Sequence, residues 1–245
     1  MPRANRYFVA GHVWHITHRC HQKHFLLKFA KDRRRWIDWL FEAKKRYGLS
    51  VLNYIVTSNH IHLLVFDTGK NEIPSSLQLI AGRVAQEYNQ RKGRKGAFWE
   101  DRYHATAIGT DEHLAQCILY IDMNMVRAGV VDHPAGWQES GFAHLVSTKQ
   151  RYQILDHGRA LTLLGFDTID EMISARSAWI TSALEKRLSE RDPRWTEGVA
   201  AGSQGFVSQI KEHLGALRKH RKIVQDDIGC LLKEEEQEYS TPFSG

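Results

Sequence analysis

Two imidazoles, a phenol and a carboxamide sit in two short segments of this chain, at spacings that let each segment present its pair on one face. In Ser58-Asn59-His60-Ile61-His62-Leu63-Leu64-Val65-Phe66 the two-residue spacing puts both histidines on one side of a strand, where one divalent ion can take a nitrogen from each. In Leu119-Tyr120-Ile121-Asp122-Met123-Asn124 the four-residue spacing puts the Tyr120 phenol and the Asn124 carboxamide on one helix face. Such a kit suits phosphodiester chemistry: an ion polarises a phosphate oxygen while a phenol attacks the phosphorus. A free tyrosine titrates near about 10, so the phenol needs help to shed its proton. Two histidines are a thin shell for Mg²⁺ or Mn²⁺, which favour oxygen; Asn124 offers one, and water or phosphate supplies the rest.

Each feature taken singly is weak, because 14 histidines make a His-x-His pair somewhere unsurprising and most helix tyrosines only pack a ring. Their combination with clustered basic residues carries the argument. His12, His15, His18, His21 and His24 recur every three residues, but odd spacings on a strand alternate faces and do not converge on one ion. His15-Ile16-Thr17 has the H-x-T form of two-histidine phosphoesterases, yet the second pair here ends in His62 rather than a hydroxyl residue.

The elements that must position these groups follow from periodicity and turn residues. A strand is expected over 8–19, a helix over 31–47 stopped by Gly48, and a strand over 51–57. The histidine-bearing strand comes next, then a helix over 73–90, a basic loop over 91–96, a strand over 98–108 and a helix capped by Thr110. The first six elements spell the split βαβ, or ferredoxin-like, α+β arrangement, with an antiparallel sheet and helices on one face. The last helix then carries Tyr120 across the sheet. Residues 1–149 are expected to form this catalytic domain. Residues 150–245 read as a helical C-terminal extension, with an amphipathic basic helix over 206–222 and a frayed acidic tail from the run at 234–238.

A net charge of +6 is mild, but the cations cluster at Lys31 to Arg35, Lys44 to Arg46, Arg91 to Lys95 and Arg218 to Lys222, which suits a polyanionic partner. No apolar run approaches the roughly 20 residues of a membrane span, and the first residues lack a signal-peptide stretch, so a cytoplasmic protein with no membrane partner is expected. Three scattered cysteines, Cys20, Cys117 and Cys230, suggest neither a disulfide framework nor a zinc cluster.

Several segments together resemble a known family: Pro2-Arg3, Trp14-His15-Ile16-Thr17-His18-Arg19, Asn59 to Val65, Phe98-Trp99-Glu100-Asp101-Arg102-Tyr103, and Tyr120 to Gly129. In order and spacing they are similar to the single-tyrosine HUH transposases (His, hydrophobe, His), most nearly the REP-associated tyrosine transposases of the IS200-like family. The resemblance implies that His60 and His62 bind a divalent metal (Mg²⁺ or Mn²⁺), that Asn124 completes or supports that site, and that Tyr120 is the nucleophile. It further implies cleavage and strand transfer of single-stranded DNA near hairpins, leaving a 5′-phosphotyrosine and a free 3′-OH. Arg3, Arg6, Arg19, Arg102, Arg127, Arg91, Arg94 and Lys95 are the expected DNA contacts, in a monomer or homodimer. Met125 stands where relatives usually have proline, and Thr57-Ser58 where they often have Met-Pro; neither change removes a functional group. The alternatives are a domesticated protein that binds hairpin DNA without transposing it and, ranked last, an RNA-binding module on the same sheet scaffold.

Overall fold

The computed structural model describes residues 8–110, 112–147, 152–186, 190–215 and 221–234. Its first part is β1 (Val13–Arg19), α1 (Ala30–Tyr47), β2 (Ser50–Val56), β3 (His60–Phe66), α2 (Glu72–Lys92), β4 (His104–Ile108) and α3 (Glu112–Asp122). The strands lie in the order β2-β3-β1-β4, each antiparallel to its neighbour, which is the ferredoxin-like arrangement of an α+β protein. β2 is buried along its whole length, and β3 is buried at Ile61 to Val65, consistent with their Val, Ile and Leu content.

α1 and α2 lie side by side, joined by Arg35 to Glu87 (2.6 and 2.8 Å) and by the Arg91–Asp32 ion pair. α1 buries Trp36, Leu40 and Ala43 and ends where Gly48 turns left-handed at φ 71°, its N–H donating to the Lys44 carbonyl. α3 covers the opposite face of the sheet. On β2 the Asn53 amide donates to Asp122 of α3 at 2.9 Å, whereas the next residue, Tyr54, packs toward Trp36 of α1. With α1 and α2 on one face, the histidine face of the sheet is left to α3 and the C-terminal extension.

Two strands are shorter than periodicity suggests. β1 starts only at Val13, after a left-handed Gly11 at φ 82°. β4 starts at His104, because exposed Glu100, Asp101 and Arg102 form a loop after a single bridge between Cys20 and Trp99.

After α3 come α4 (Asn124–Arg127), α5 (Gly141–Val146), α6 (His157–Leu164), α7 (Ile169–Glu185), α8 (Arg194–Glu197), β5 (Ala200–Gly202), α9 (Gln204–His213), β6 (Arg221–Asp226) and β7 (Gly229–Glu234). The extension is therefore not purely helical. β5 runs parallel to β4, and β7 and β6 follow antiparallel, so the sheet grows to the order β2-β3-β1-β4-β5-β7-β6. The basic helix expected over 206–222 ends at His213, and Arg221 and Lys222 open β6 instead. The physical reason is a hairpin: Asp226 Oδ1 accepts the N–H groups of Ile228 (2.9 Å) and Gly229 (3.2 Å), and Cys230, Leu231 and Leu232 bury against the sheet. Glu234 closes β7; the rest of the expected acidic tail, and the 149/150 boundary, lie outside the described residues.

Candidate active site

Strand register assembles a polar band on the α3 side of the sheet. Thr17 of β1 pairs with His62 of β3 and His104 of β4, Arg19 with His60, and His15 with Thr106. Opposed residues in an antiparallel pair share a face, so His15, Thr17, Arg19, His60, His62, His104 and Thr106 all point toward α3. Tyr120, Asn124 and Arg127 answer from above. Backbone bonds from Met123 to Leu119 and from Arg127 to Met123 carry helical geometry through the α3–α4 junction, which keeps the three on one face.

The expected quartet does converge. The Tyr120 ring stands edge-on to His62 at 5.8 Å between centroids, His60 and His62 are 5.0 Å apart, and Asn124 Nδ2 meets His62 Nε2 at 3.0 Å. They line one cavity of about 510 Å³, together with Arg19, Arg102, Arg127 and Arg191. A second cavity, of about 690 Å³, adjoins it across Tyr120 and Arg127.

The hydrogen-bond pattern sets which nitrogen each histidine offers. The Thr57 hydroxyl donates to the His60 carbonyl (2.8 Å), so its lone pairs, with Asn59 Oδ1 at 2.7 Å, accept from His60 Nδ1. His60 Nε2 is left as the lone pair. Thr57 thus holds the His60 ring and backbone three residues on. Burial lowers His60 to about 4, with Arg19 and Arg127 pushing the same way, and holds His62 well below its ordinary value, so both rings are neutral ligand donors at pH 7.

Tyr120 is 8% exposed, and burial raises its pKa. The Arg127 guanidinium, 4.1 Å from the ring centroid, works against that rise by favouring phenolate.

The expected DNA contacts divide. Arg19, Arg102 and Arg127 line the cavity. Arg91 pairs with Asp32, Arg94 is committed to Asn89 and the carbonyls of Gly96 and Ala97, and Lys95 is exposed on the loop after α2. Arg3 and Arg6 lie outside the described residues. Arg191, Trp195 and His15 had no site role in the reading of the sequence. The first two come from the extension, where only the dense Arg191-Asp192-Pro193-Arg194-Trp195 run hinted at a site. His15 belonged to the discounted histidine array, and the strand does separate that array: His15 meets His62 while His18 stacks on Trp99 at 4.1 Å.

Residues 8–124 match the family model described as Transposase IS200 like. Over that stretch the chain is similar to IS200-like transposases. Among solved structures, one of a REP-associated tyrosine transposase bound to a REP hairpin is similar at a TM-score of 0.51 and 20% identity, covering 64% of this chain and 94% of that one. It supports the ferredoxin-like fold described above. A crystal structure from Deinococcus radiodurans R1, also 20% identical and covering 50% of this chain and 96% of that one, has a TM-score of 0.36. No curated protein matches this chain. Among the described residues, no helix is long and apolar enough to cross a membrane.

The donor set allows a test of metal fit. Among the described residues no three His, Cys, Asp or Glu groups gather as a closed cage. What the site offers is the His60 Nε2 lone pair, the His62 Nε2 lone pair that accepts from the Asn124 carboxamide at 3.0 Å, and the oxygen of that carboxamide. That partial shell fits a hard cation that keeps waters and substrate phosphate oxygens in its other positions.

Proposed function

We propose that this protein cleaves and rejoins single-stranded DNA beside hairpins through a 5′-phosphotyrosine at Tyr120. The observation that carries the reading is the convergence of Tyr120, His60, His62 and Asn124, from β3, α3 and α4, on one arginine-lined cavity. His60 Nε2, His62 Nε2 and Asn124 would hold a Mg²⁺ or Mn²⁺ ion, which when bound supplies Lewis-acid polarisation of the scissile phosphate.

Arg127 lies over the phenol and favours its ionisation, and Arg19, Arg102 and Arg191 bind the flanking phosphates. The Tyr120 oxygen attacks phosphorus, the bond to the 3′ oxygen breaks, and that oxygen leaves as a 3′-OH after taking a proton. The aryl phosphate ester preserves the phosphodiester's energy, so another 3′-OH can reverse the step and join strands. Residues 1–149 would form the catalytic unit, with the extension completing the cavity wall through Arg191.

The test is incubation of the protein, and of Tyr120→Phe, with hairpin oligonucleotides drawn from the DNA around its own gene, with Mn²⁺. Denaturant-resistant adducts that vanish in the variant support the reading. Salt-sensitive hairpin binding without adducts would favour a domesticated binding protein instead.

A further inference from the structure

His15 is fully buried and takes no direct part in the chemistry above, yet it bridges the candidate metal site to the extension. Its ring lies nearly parallel to that of His62, 10° between planes and 5.0 Å between centroids, with Nε2 to Nδ1 at 2.9 Å. The other nitrogen, His15 Nδ1, faces the Trp195 carbonyl of α8 at 2.8 Å. That carbonyl oxygen is itself near the Thr106 hydroxyl, at 3.4 Å.

The proton positions follow by elimination. A carbonyl oxygen only accepts, so His15 Nδ1 carries the proton. A neutral imidazole has one N–H, so His15 Nε2 must accept, and the proton between the rings belongs to His62 Nδ1. His62 Nε2 is then a lone pair, directed at Asn124 Nδ2. The opposite assignment would set a His15 lone pair against the Trp195 oxygen and leave two acceptors facing each other across a buried contact.

We propose that His15 is a positioning residue: anchored on the Trp195 carbonyl, it holds His62 in the Nδ1–H tautomer, so that the extension presets the nitrogen the site offers to a ligand. Outer partners of this kind fix ring orientation and raise ligand basicity, and losing one typically weakens metal affinity by about 10- to 100-fold. The tautomer itself does not depend on the metal reading; its consequence for affinity rests on that reading.

The experiment separates the two. Nitrogen-detected NMR of histidine-labelled, metal-free protein, with His62 assigned by its absence in His62→Ala, reports which ring nitrogen bears the proton. The expected wild-type result is Nδ1–H. His15→Gln, whose carboxamide oxygen replaces Nε2 as acceptor, should keep that state, and His15→Leu should lose it. Mn²⁺ titration followed by electron paramagnetic resonance should show near-wild-type affinity for His15→Gln and a loss of about tenfold or more for His15→Leu. Circular dichroism on both variants controls for folding.

An Nε2–H tautomer in the wild type, or an unchanged tautomer in folded His15→Leu, would overturn the proposal. Absence of Mn²⁺ binding in the wild type, with the tautomer pattern as expected, would uphold the positioning role and overturn the metal reading alone.

Discussion

Arg176 of α7 ties the extension to the helix that carries Tyr120. Its Nη2 donates to both oxygens of Asp122, at 2.9 and 2.7 Å, with both side chains only 2% exposed. Replacing it by methionine keeps much of the volume but strands a buried carboxylate. Breaking one side of such a pair costs about 3–5 kcal/mol, because the remaining charge loses its partner without regaining water. The low end is expected here, about 3 kcal/mol, since Asn53 still donates to Asp122 at 2.9 Å and burial already pushes that carboxyl up, easing its protonation.

With a urea m-value of about 3 kcal/mol per M, Arg176→Met should lower the unfolding midpoint by about 1 M. The double variant Asp122→Asn with Arg176→Met removes the stranded charge while keeping an acceptor for Asn53, and should recover at least half of the loss. A single-variant loss below about 0.5 kcal/mol, or a double variant no more stable than the single, would refute the claim that a desolvated ion pair clamps α3 to α7.

Three further outcomes follow from the site. Burial lowers His15 to about 3 and His18 to about 4, so between those values and about 6.5 the unfolded chain binds more protons; stability is full above neutrality and falls with acid. These two groups alone should cost about 4 kcal/mol at pH 5 relative to pH 7.5, a lower bound on the loss read from urea midpoints because burial depresses His60 and His62 in the same sense, and a flat profile would contradict the burial of these rings as neutral groups. Arg127→Gln removes the guanidinium over Tyr120; DNA cleavage should slow, and the slope of log affinity against log salt should fall by about 0.7–0.9, an unchanged slope excluding a phosphate contact. Asn124→Ala removes the carboxamide beside His62, and calorimetry should show Mn²⁺ affinity lowered at least about tenfold, equal affinity removing Asn124 from the site.

The quartet and its sheet were legible because local periodicity determines facing. His60 and His62 differ by two on a strand, Tyr120 and Asn124 by four on a helix, and the β-α-β-β-α-β order allows few sheet topologies. What escaped depends on long-range pairing. The apolar residues Phe206, Val207, Ile210, Leu214 and Leu217 keep helical spacing past His213, where the helix ends, and the β6–β7 hairpin is marked by Asp226 and Gly229 rather than by a strong strand signature. His15 was obscured for a different reason: its partner Trp195 lies 180 residues away, across the β4–β5 junction that the helical reading of the extension had no place for. Arg91 and Arg94 looked like free cations because their bonds to Asp32, Asn89 and the loop carbonyls depend on how α1, α2 and the following loop pack.

As the proposed nucleophile, Tyr120 becomes covalently joined through its oxygen to a 5′ phosphate. The most direct measurement of that bond is proteolysis of the denaturant-resistant adduct, nuclease trimming to a short nucleotide remnant, and mass spectrometry of the modified peptide. The expected result is a single nucleotidyl-modified site at Tyr120. A modification on any other residue, or cleavage products with no covalent protein-DNA species, would exclude Tyr120 as the nucleophile.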